Sequence, residues 1–248
     1  MQFFVGAAQI SVNMTSLSQL LDAVLDRLGR GQGFALATLN LDHLAKLSGS
    51  PDFRAAYAAQ DLITADGNPI VWMGRLAGQR LELLPGADLI VPLTRLAVQS
   101  GVAVGLLGST DDSLALAAAA LRVAVPGVQI VAQIAPPMGF DPQSQAADAV
   151  LDQLDAAGVR LCFLALGAPK QEILAARGRL RTPLIGFVSI GAGLDFLSGS
   201  QARAPVWVRR FALEWLWRML SDPRRMMGRY LRAALILPGH IWASWKQR

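Results

Sequence analysis

Six short runs rich in apolar and β-branched residues recur along this chain, each separated from the next by a longer helical stretch. The runs are Phe34–Asn40, Asp61–Ala65, Ala103–Gly108, Val128–Gln133, Leu161–Gly167 and Leu184–Ile190. Between them lie helical segments such as Leu17–Leu28, Ala87–Ser100, Ser113–Val125, Gln143–Ala157 and Lys170–Gly178. Strands that are apolar throughout are buried on both faces, and long connections suit parallel neighbours. The alternation therefore predicts an α/β fold, a Rossmann-like and mostly parallel sheet flanked by helices. Most of the runs end in small or polar residues: Asn40, Asp66-Gly67, Gly108-Ser109, Gly167-Ala168 and Gly191-Ala-Gly193. Open sheets of this kind bind ligands beyond the carboxyl ends of their strands, so these loops are where chemistry is expected.

The alternation stops near residue 200, where a domain boundary is placed: residues 1–200 form the α/β unit and 201–248 a helical appendage. The tail carries ten Lys/Arg against two acids, Glu214 and Asp222, and five of the six tryptophans. The preceding 200 residues are slightly acidic, so the overall net charge of +5 conceals a nearly neutral body and a strongly basic end. Pro205, Pro223 and Pro238 punctuate the tail. The apolar stretch Ala233–Trp245 is the best membrane-span candidate, but Pro238, Gly239 and His240 are expected to break it. It also falls short of the ~20 residues that a crossing helix needs. No signal peptide is evident at Met1-Gln-Phe-Phe-Val5. Cys162 is the only cysteine and lies in an apolar run, which reads as core filling and fits a reducing compartment.

Several chemistries lack their devices. There is no Asp-x-Asp triplet, Walker loop, Ser-His-Asp set or zinc-ligand spacing, and only two histidines, His43 and His240. Gly191-Ala-Gly193 gives only the first half of a dinucleotide fingerprint, with Phe196 where the third glycine belongs. No metal and no cofactor is expected. What remains is a set of polar residues in apolar strand-end loops. Thr38-Leu-Asn40 closes the first run, and Ala65-Asp-Gly-Asn-Pro69 the second. Asp66 could take a proton from an attacking hydroxyl, or could simply cap the next helix. Gly167-Ala-Pro-Lys-Gln-Glu172 opens a helix whose free amides, with Lys170 and Gln171, suit a diphosphate; ordinary helix-start grammar explains it equally. Gly191-Ala-Gly-Leu-Asp195 could lie against a nucleoside or be a structural turn. In the tail, arginines alternate with Trp207, Phe211, Trp215, Trp217, Met226, Met227 and Tyr230. Arginine binds phosphate bidentately and tryptophan favours the bilayer interface. Each basic side chain near an anionic leaflet is worth about 1 kcal/mol, so half of them would hold the protein there. Single-stranded nucleic acid is disfavoured by the density of large apolar residues. A helical pair that packs its tryptophans on the body and solvates its arginines fits as well.

Taken together, these segments resemble the WecG/TagA/CpsF family of bacterial glycosyltransferases, glycosyltransferase family 26, along nearly the whole chain. The carriers, in the family's order, are Thr38-Leu-Asn40, Ala65-Asp-Gly67, Gly86-Ala-Asp-Leu89, Leu106-Leu-Gly108, Gly167-Ala-Pro-Lys-Gln-Glu172 and Gly191-Ala-Gly-Leu-Asp-Phe196. Arg203-Ala-Pro205, Leu213-Glu-Trp-Leu-Trp-Arg218 and Asp222-Pro-Arg-Arg225 complete them. The resemblance implies an inverting, metal-independent transfer of a hexose or N-acetylhexosamine-type sugar from a UDP-sugar to a polyprenyl-diphosphate-linked sugar, for a cell-surface polymer or exopolysaccharide. By similarity Asp66 is the catalytic base, with Thr38, Asn40, Asn68 and Gly108 in the cleft. Gly167, Lys170, Gln171, Glu172 and Gly191 would hold the diphosphate, and Asp195 would lie near the nucleoside. Arg209, Arg210, Arg218, Arg224, Arg225 and Arg229 would grip the acceptor diphosphate at the cytoplasmic face of the plasma membrane, where the protein would be peripheral. A homo-oligomer is left open. One departure stands out: where members commonly read Arg-Val-Thr-Gly, this chain reads Leu83-Leu-Pro-Gly86, and Arg80 or a tail arginine would have to substitute. A non-catalytic membrane-associated nucleotide-binding scaffold is the alternative from another class. An α/β methyltransferase is disfavoured by the missing glycine-rich first loop.

Overall fold

The computed structural model describes residues 1–6, 8–205, 208, 214–221 and 223–247. Its centre is a six-stranded sheet in the order β4-β3-β8-β7-β5-β6, with every neighbouring pair parallel. The strands are β3 (Phe34–Leu39), β4 (Leu62–Ala65), β5 (Ala103–Gly108), β6 (Ile130–Ile134), β7 (Val159–Ala165) and β8 (Gly186–Ser189). Alternation of side chains divides the strands between two layers. Phe34, Leu36, Leu161, Phe163 and Val188 face α1 (Leu17–Gly29), α5 (Gly86–Gln99) and α6 (Asp111–Ala124). Ala35, Cys162, Leu164 and Phe187 face α7 (Gln145–Ala156) and α8 (Lys170–Arg181) on the opposite side. There Ala37, Leu39 and Ala65 meet α2 (Leu41–Gly49), α3 (Pro51–Ala58) and α4 (Asn68–Leu76). The expected α/β sandwich is present, and burial of the Cys162 thiol pushes its pKa up, which keeps it inert.

The elements begin where local chemistry says they should. Thr110 caps α6 by accepting from the Ser113 N–H, Ser16 caps α1 through the Gln19 N–H, and Asn40 caps α2 through the His43 N–H. Three features depart from the expectation. A short antiparallel hairpin, β1 (Gln2–Val5) with β2 (Ala8–Ser11), precedes the sheet and buries Phe3, Val5 and Ile10. Helices α2 and α3 fill the interval between the first two sheet strands. In the tail, α10 (Glu214–Ser221) is followed by α11 (Pro223–Trp245), which continues through Pro238 instead of breaking there.

That continuity has a physical cause. A proline inside a helix removes one backbone bond and costs about 3 kcal/mol, which neighbouring contacts must offset. On one side of Pro238, Ala233 is buried and Ile236 and Leu237 pack on the cluster formed by the hairpin, α2 and α4. On the other, the Ser244 hydroxyl donates to the His240 carbonyl, His240 meets Phe3 edge-on, and the Gln247 amide donates to the Gln2 carbonyl at 2.7 Å. No helix among the described residues is long and apolar enough to cross a membrane.

Candidate active site

Because all six strands run in one direction, their carboxyl ends share one edge, and most of the polar residues singled out above collect there. Thr38 at the end of β3 lies opposite Thr64 of β4, and Leu39 opposite Ala65. The Asp66 N–H donates to the Leu39 carbonyl at 2.8 Å, which continues the ladder one step past β4. Its carboxylate then turns back across β3. Asp66 Oδ2 accepts from Asn40 Nδ2 at 3.2 Å and from Thr38 Oγ1 at 3.4 Å. The N-cap position of α4 is taken by Gly67 at φ 101°, and Asn68 is the first helical residue. Asp66 is thus turned toward β3, while Gly67 absorbs a backbone conformation that suits glycine.

The Lys170–Glu172 segment opens α8 as expected, after Gly167 at φ 72°. Gln171 is only 2% exposed. Its Oε1 accepts from the Gly191 N–H at 3.1 Å, and its Nε2 donates to Glu172 Oε1 at 2.8 Å. The start of α8 is therefore clamped to the loop after β8. Gly86 presses against the same loop, since a Cβ built there would lie 2.8 Å from Ile190 Cα. Beside it, the chain 81–84 runs along the end of β4: Leu83 bridges Ala65, and the Leu84 N–H donates to the Ala65 carbonyl. Leu83, noted above as a departure, is thus adjacent to Asp66, and it is 41% exposed. Arg80 is exposed.

Residues from α2 and α3, which sequence reasoning passed over, stand behind these two groups. Lys46 Nζ donates to the Ala168 carbonyl at 3.1 Å and pairs with Asp42 at 2.9 Å, which ties α2 to the loop before α8. Tyr57 is fully buried and its hydroxyl lies 3.0 Å from His43 Nδ1. Burial raises the Tyr57 pKa well above the usual range, and the negative charges of Glu172 and Asp66 raise it further. Gln60 donates to the Glu172 carbonyl at 3.2 Å. The sequence signals that could have found them are slight: Asp42 and Lys46 at i, i+4, and the Asn40 cap that leads into His43.

Gly108 and Asp195 define a second part of the edge. Gly108, at φ 116°, lies against the Ala165 backbone. Asp195, on the short helix α9 (Gly193–Ser198), accepts from Ser109 and Ser113 through Oδ1 and from Gln201 at 3.0 Å through Oδ2. Its carboxylate is held by the β5–α6 loop, the first turn of α6 and the start of the tail. Arg203 pairs with Asp88 in the first turn of α5 and covers the Phe196 ring, which anchors the tail near the same edge. Of the tail arginines, Arg209 and Arg210 lie outside the described residues. Arg218, Arg225 and Arg229 lie on helical backbone, but their side chains fall outside the described ones; Arg224 is exposed on α11. Among the described residues, no group of three or more His, Cys, Asp or Glu side chains could hold a metal ion.

Comparison with known proteins identifies the family. The chain is 28% identical over 221 residues to the N-acetylglucosaminyldiphosphoundecaprenol N-acetyl-beta-D-mannosaminyltransferase of Bacillus spizizenii (strain ATCC 23059 / NRRL B-14472 / W23), which covers 88% of this chain and 81% of that protein. The family model for the glycosyl transferase WecG/TagA/CpsF family matches residues 5–248. This chain belongs to the WecG/TagA/CpsF family and is a glycosyltransferase.

Proposed function

We propose that the protein transfers a hexose or N-acetylhexosamine-type sugar from a UDP-sugar to a polyprenyl-diphosphate-linked sugar, with inversion, in assembly of a cell-surface polymer or exopolysaccharide. The observation that carries this reading is the placement of the Asp66 carboxylate, held by Thr38 and Asn40, on the same sheet edge as the Gln171–Gly191 clamp. In the reaction, Asp66 takes the proton from the acceptor hydroxyl as that oxygen attacks the anomeric carbon and the bond to the nucleoside diphosphate breaks. The hydrogen bonds from Thr38 and Asn40 aim the carboxylate. The leaving diphosphate is received by the amides at the start of α8, by Lys170, and by the remaining N–H of Gln171. A positioned anion site of this kind stabilises charge as it develops, so no metal or cofactor is required. Asn68, Gly167 and Gly191 line the same loops, and Gly108 brings the β5 end close to the nucleoside, near Asp195.

In this reading residues 1–200 carry the chemistry, and residues 201–248 hold the protein on the cytoplasmic surface of the membrane. On α11 and the adjoining α4, Trp72, Leu76, Ile241, Trp242 and Trp245 are all at least 40% exposed, an unusual density of large apolar groups beside basic residues. The tail arginines would meet the acceptor diphosphate there.

The direct test is transfer activity of the purified protein against a panel of UDP-sugars with a short-chain lipid-diphosphate sugar, product anomeric configuration being read by NMR. One donor should give turnover without added metal and in the presence of chelator. Absence of turnover with every donor, together with no calorimetric binding of UDP, would overturn the reading.

A further inference from the structure

Among the described residues, Glu172 is the one acidic side chain that combines complete burial with an oxygen lacking a hydrogen-bond partner. It is 0% exposed; Oε1 accepts from Gln171, and Oε2 has no hydrogen-bond partner. A buried carboxyl group in this condition costs stability, and such a cost persists in natural proteins chiefly where function requires it. Its location supplies the function. Glu172 lies in the first turn of α8, next to the residue that clamps α8 to the loop after β8.

We propose that Glu172 is the positioning residue of the donor site: its carboxyl fixes the Gln171 amide against the Gly191 N–H, and its charge sets how strongly the mouth of α8 accepts a nucleoside diphosphate. The inference rests on the donor reading given above. The geometry of the first half is a closed sequence of bonds. Since the Gly191 N–H requires an acceptor, Gln171 must present Oε1 to it, and its Nε2 then needs an acceptor of its own. Glu172 Oε1 provides that at 2.8 Å. Without it the amide is free to turn, and the remaining Nε2 hydrogen loses its direction.

The second half follows from charge. A diphosphate at the start of α8 places negative charge near Glu172, which must then be neutral or repel it. The charged and titratable groups that act on Glu172 from the elements packed against it are Lys46 on α2 and Tyr57 on α3, with Gln171 beside it on its own helix. Burial lifts the Glu172 carboxyl to about 7, against the opposing effects of the Gln171 hydrogen bond and the Lys46 ammonium. The group can therefore gain a proton when a diphosphate arrives. If binding raises its pKa by about one further unit, the dissociation constant of UDP increases about sevenfold between pH 6 and pH 8.5.

Calorimetry with UDP across that pH range tests both halves, using the full chain. The ionisation of UDP itself is common to all variants and cancels in the comparison. In Glu172→Gln the side-chain oxygen still accepts from Gln171, so binding is retained while the pH dependence specific to the wild type disappears. Glu172→Ala should lose at least tenfold in UDP affinity, whereas kcat at saturating donor falls by less. Lys46→Met, a substitution at a half-exposed site, should move the midpoint of the pH dependence upward because the cation that favours the ionised carboxyl is gone. The same pH dependence in Glu172→Gln as in the wild type, or an unmoved midpoint in Lys46→Met, overturns the inference while the donor reading stands. Failure of the wild-type protein to bind UDP at any pH overturns the donor reading and this assignment with it.

Discussion

Replacing Asp66 by asparagine separates chemistry from architecture more cleanly than any other change in this protein. The two side chains have nearly the same shape. The backbone bond from residue 66 to the Leu39 carbonyl is untouched, and Gly67 still makes the turn into α4. An asparagine oxygen can still accept from Asn40 Nδ2, and of the two bonds that hold the carboxylate to β3 and its end, the 3.4 Å contact from Thr38 is the one weakened. A single neutral hydrogen bond contributes about 0.5–1.5 kcal/mol, and a contact that long lies at the lower end. The expected loss of stability is thus about 0.5 kcal/mol, or roughly 1–2 °C in Tm for a chain of this size. The amide cannot accept the acceptor's proton, and loss of a positioned base slows a reaction by roughly 10²- to 10⁴-fold, about 3–5.5 kcal/mol in the barrier. The assay is turnover with the active UDP-sugar, accompanied by UDP calorimetry and a thermal melt. kcat should fall by at least 100-fold, while UDP affinity and Tm stay close to wild type. Turnover within threefold of wild type would refute the assignment of Asp66 as base, and a collapsed melt would show that the carboxylate is a structural element instead.

Further outcomes follow from the same geometry. Gly86→Ala places a Cβ 2.8 Å from Ile190 Cα, a contact that backbone must yield to, so stability should drop by about 1–3 kcal/mol in chemical denaturation. Glu172 has a folded-state pKa raised from 4.5 to about 7, so the folded protein binds its proton more tightly than the unfolded chain does. The stability it contributes is complete below pH 4.5 and is lost as pH rises through 7, about 3 kcal/mol in all. Glu172→Gln should therefore gain on the wild type between pH 5 and pH 8 in paired melts. Replacing both Trp242 and Trp245, which are 58% and 54% exposed, by alanine should reduce sedimentation with anionic vesicles several-fold and leave the melt unchanged.

The sheet was legible because its strands, the edge strand β6 apart, are apolar and buried on both faces, and a fully buried strand writes itself as a continuous run. The hairpin was not: its strands have four residues each, and Gly6 divides them into fragments too short to show a period. Helices α2 and α3 hid for a similar reason, being nine and eight residues long with only Ser50 between them and Pro51 opening the second. Asp66 and Gln171 were found through the loops that carry them, yet their relation was not readable. It depends on β3 lying between β4 and β8, which brings residues more than one hundred positions apart into contact, as with Gln60 and Glu172. Glu172 itself looked like a helix-opening acid. Only its complete burial, produced by α3 folding over the start of α8, distinguishes it from a solvated one. Pro238 misled because the penalty of a proline was weighed without the contacts on both sides of it.

The seating of α11 governs how the tail can be altered. Ile236 and Leu237 shield apolar side chains of the hairpin, α2 and α4, and His240 lies edge-on against Phe3. A version shortened after residue 200 would bare that surface and invite clumping, so its silence in an assay would say little about lipids. Point changes at the outward tryptophans leave the shielding contacts in place, and they are the sounder way to make a form that stays in water.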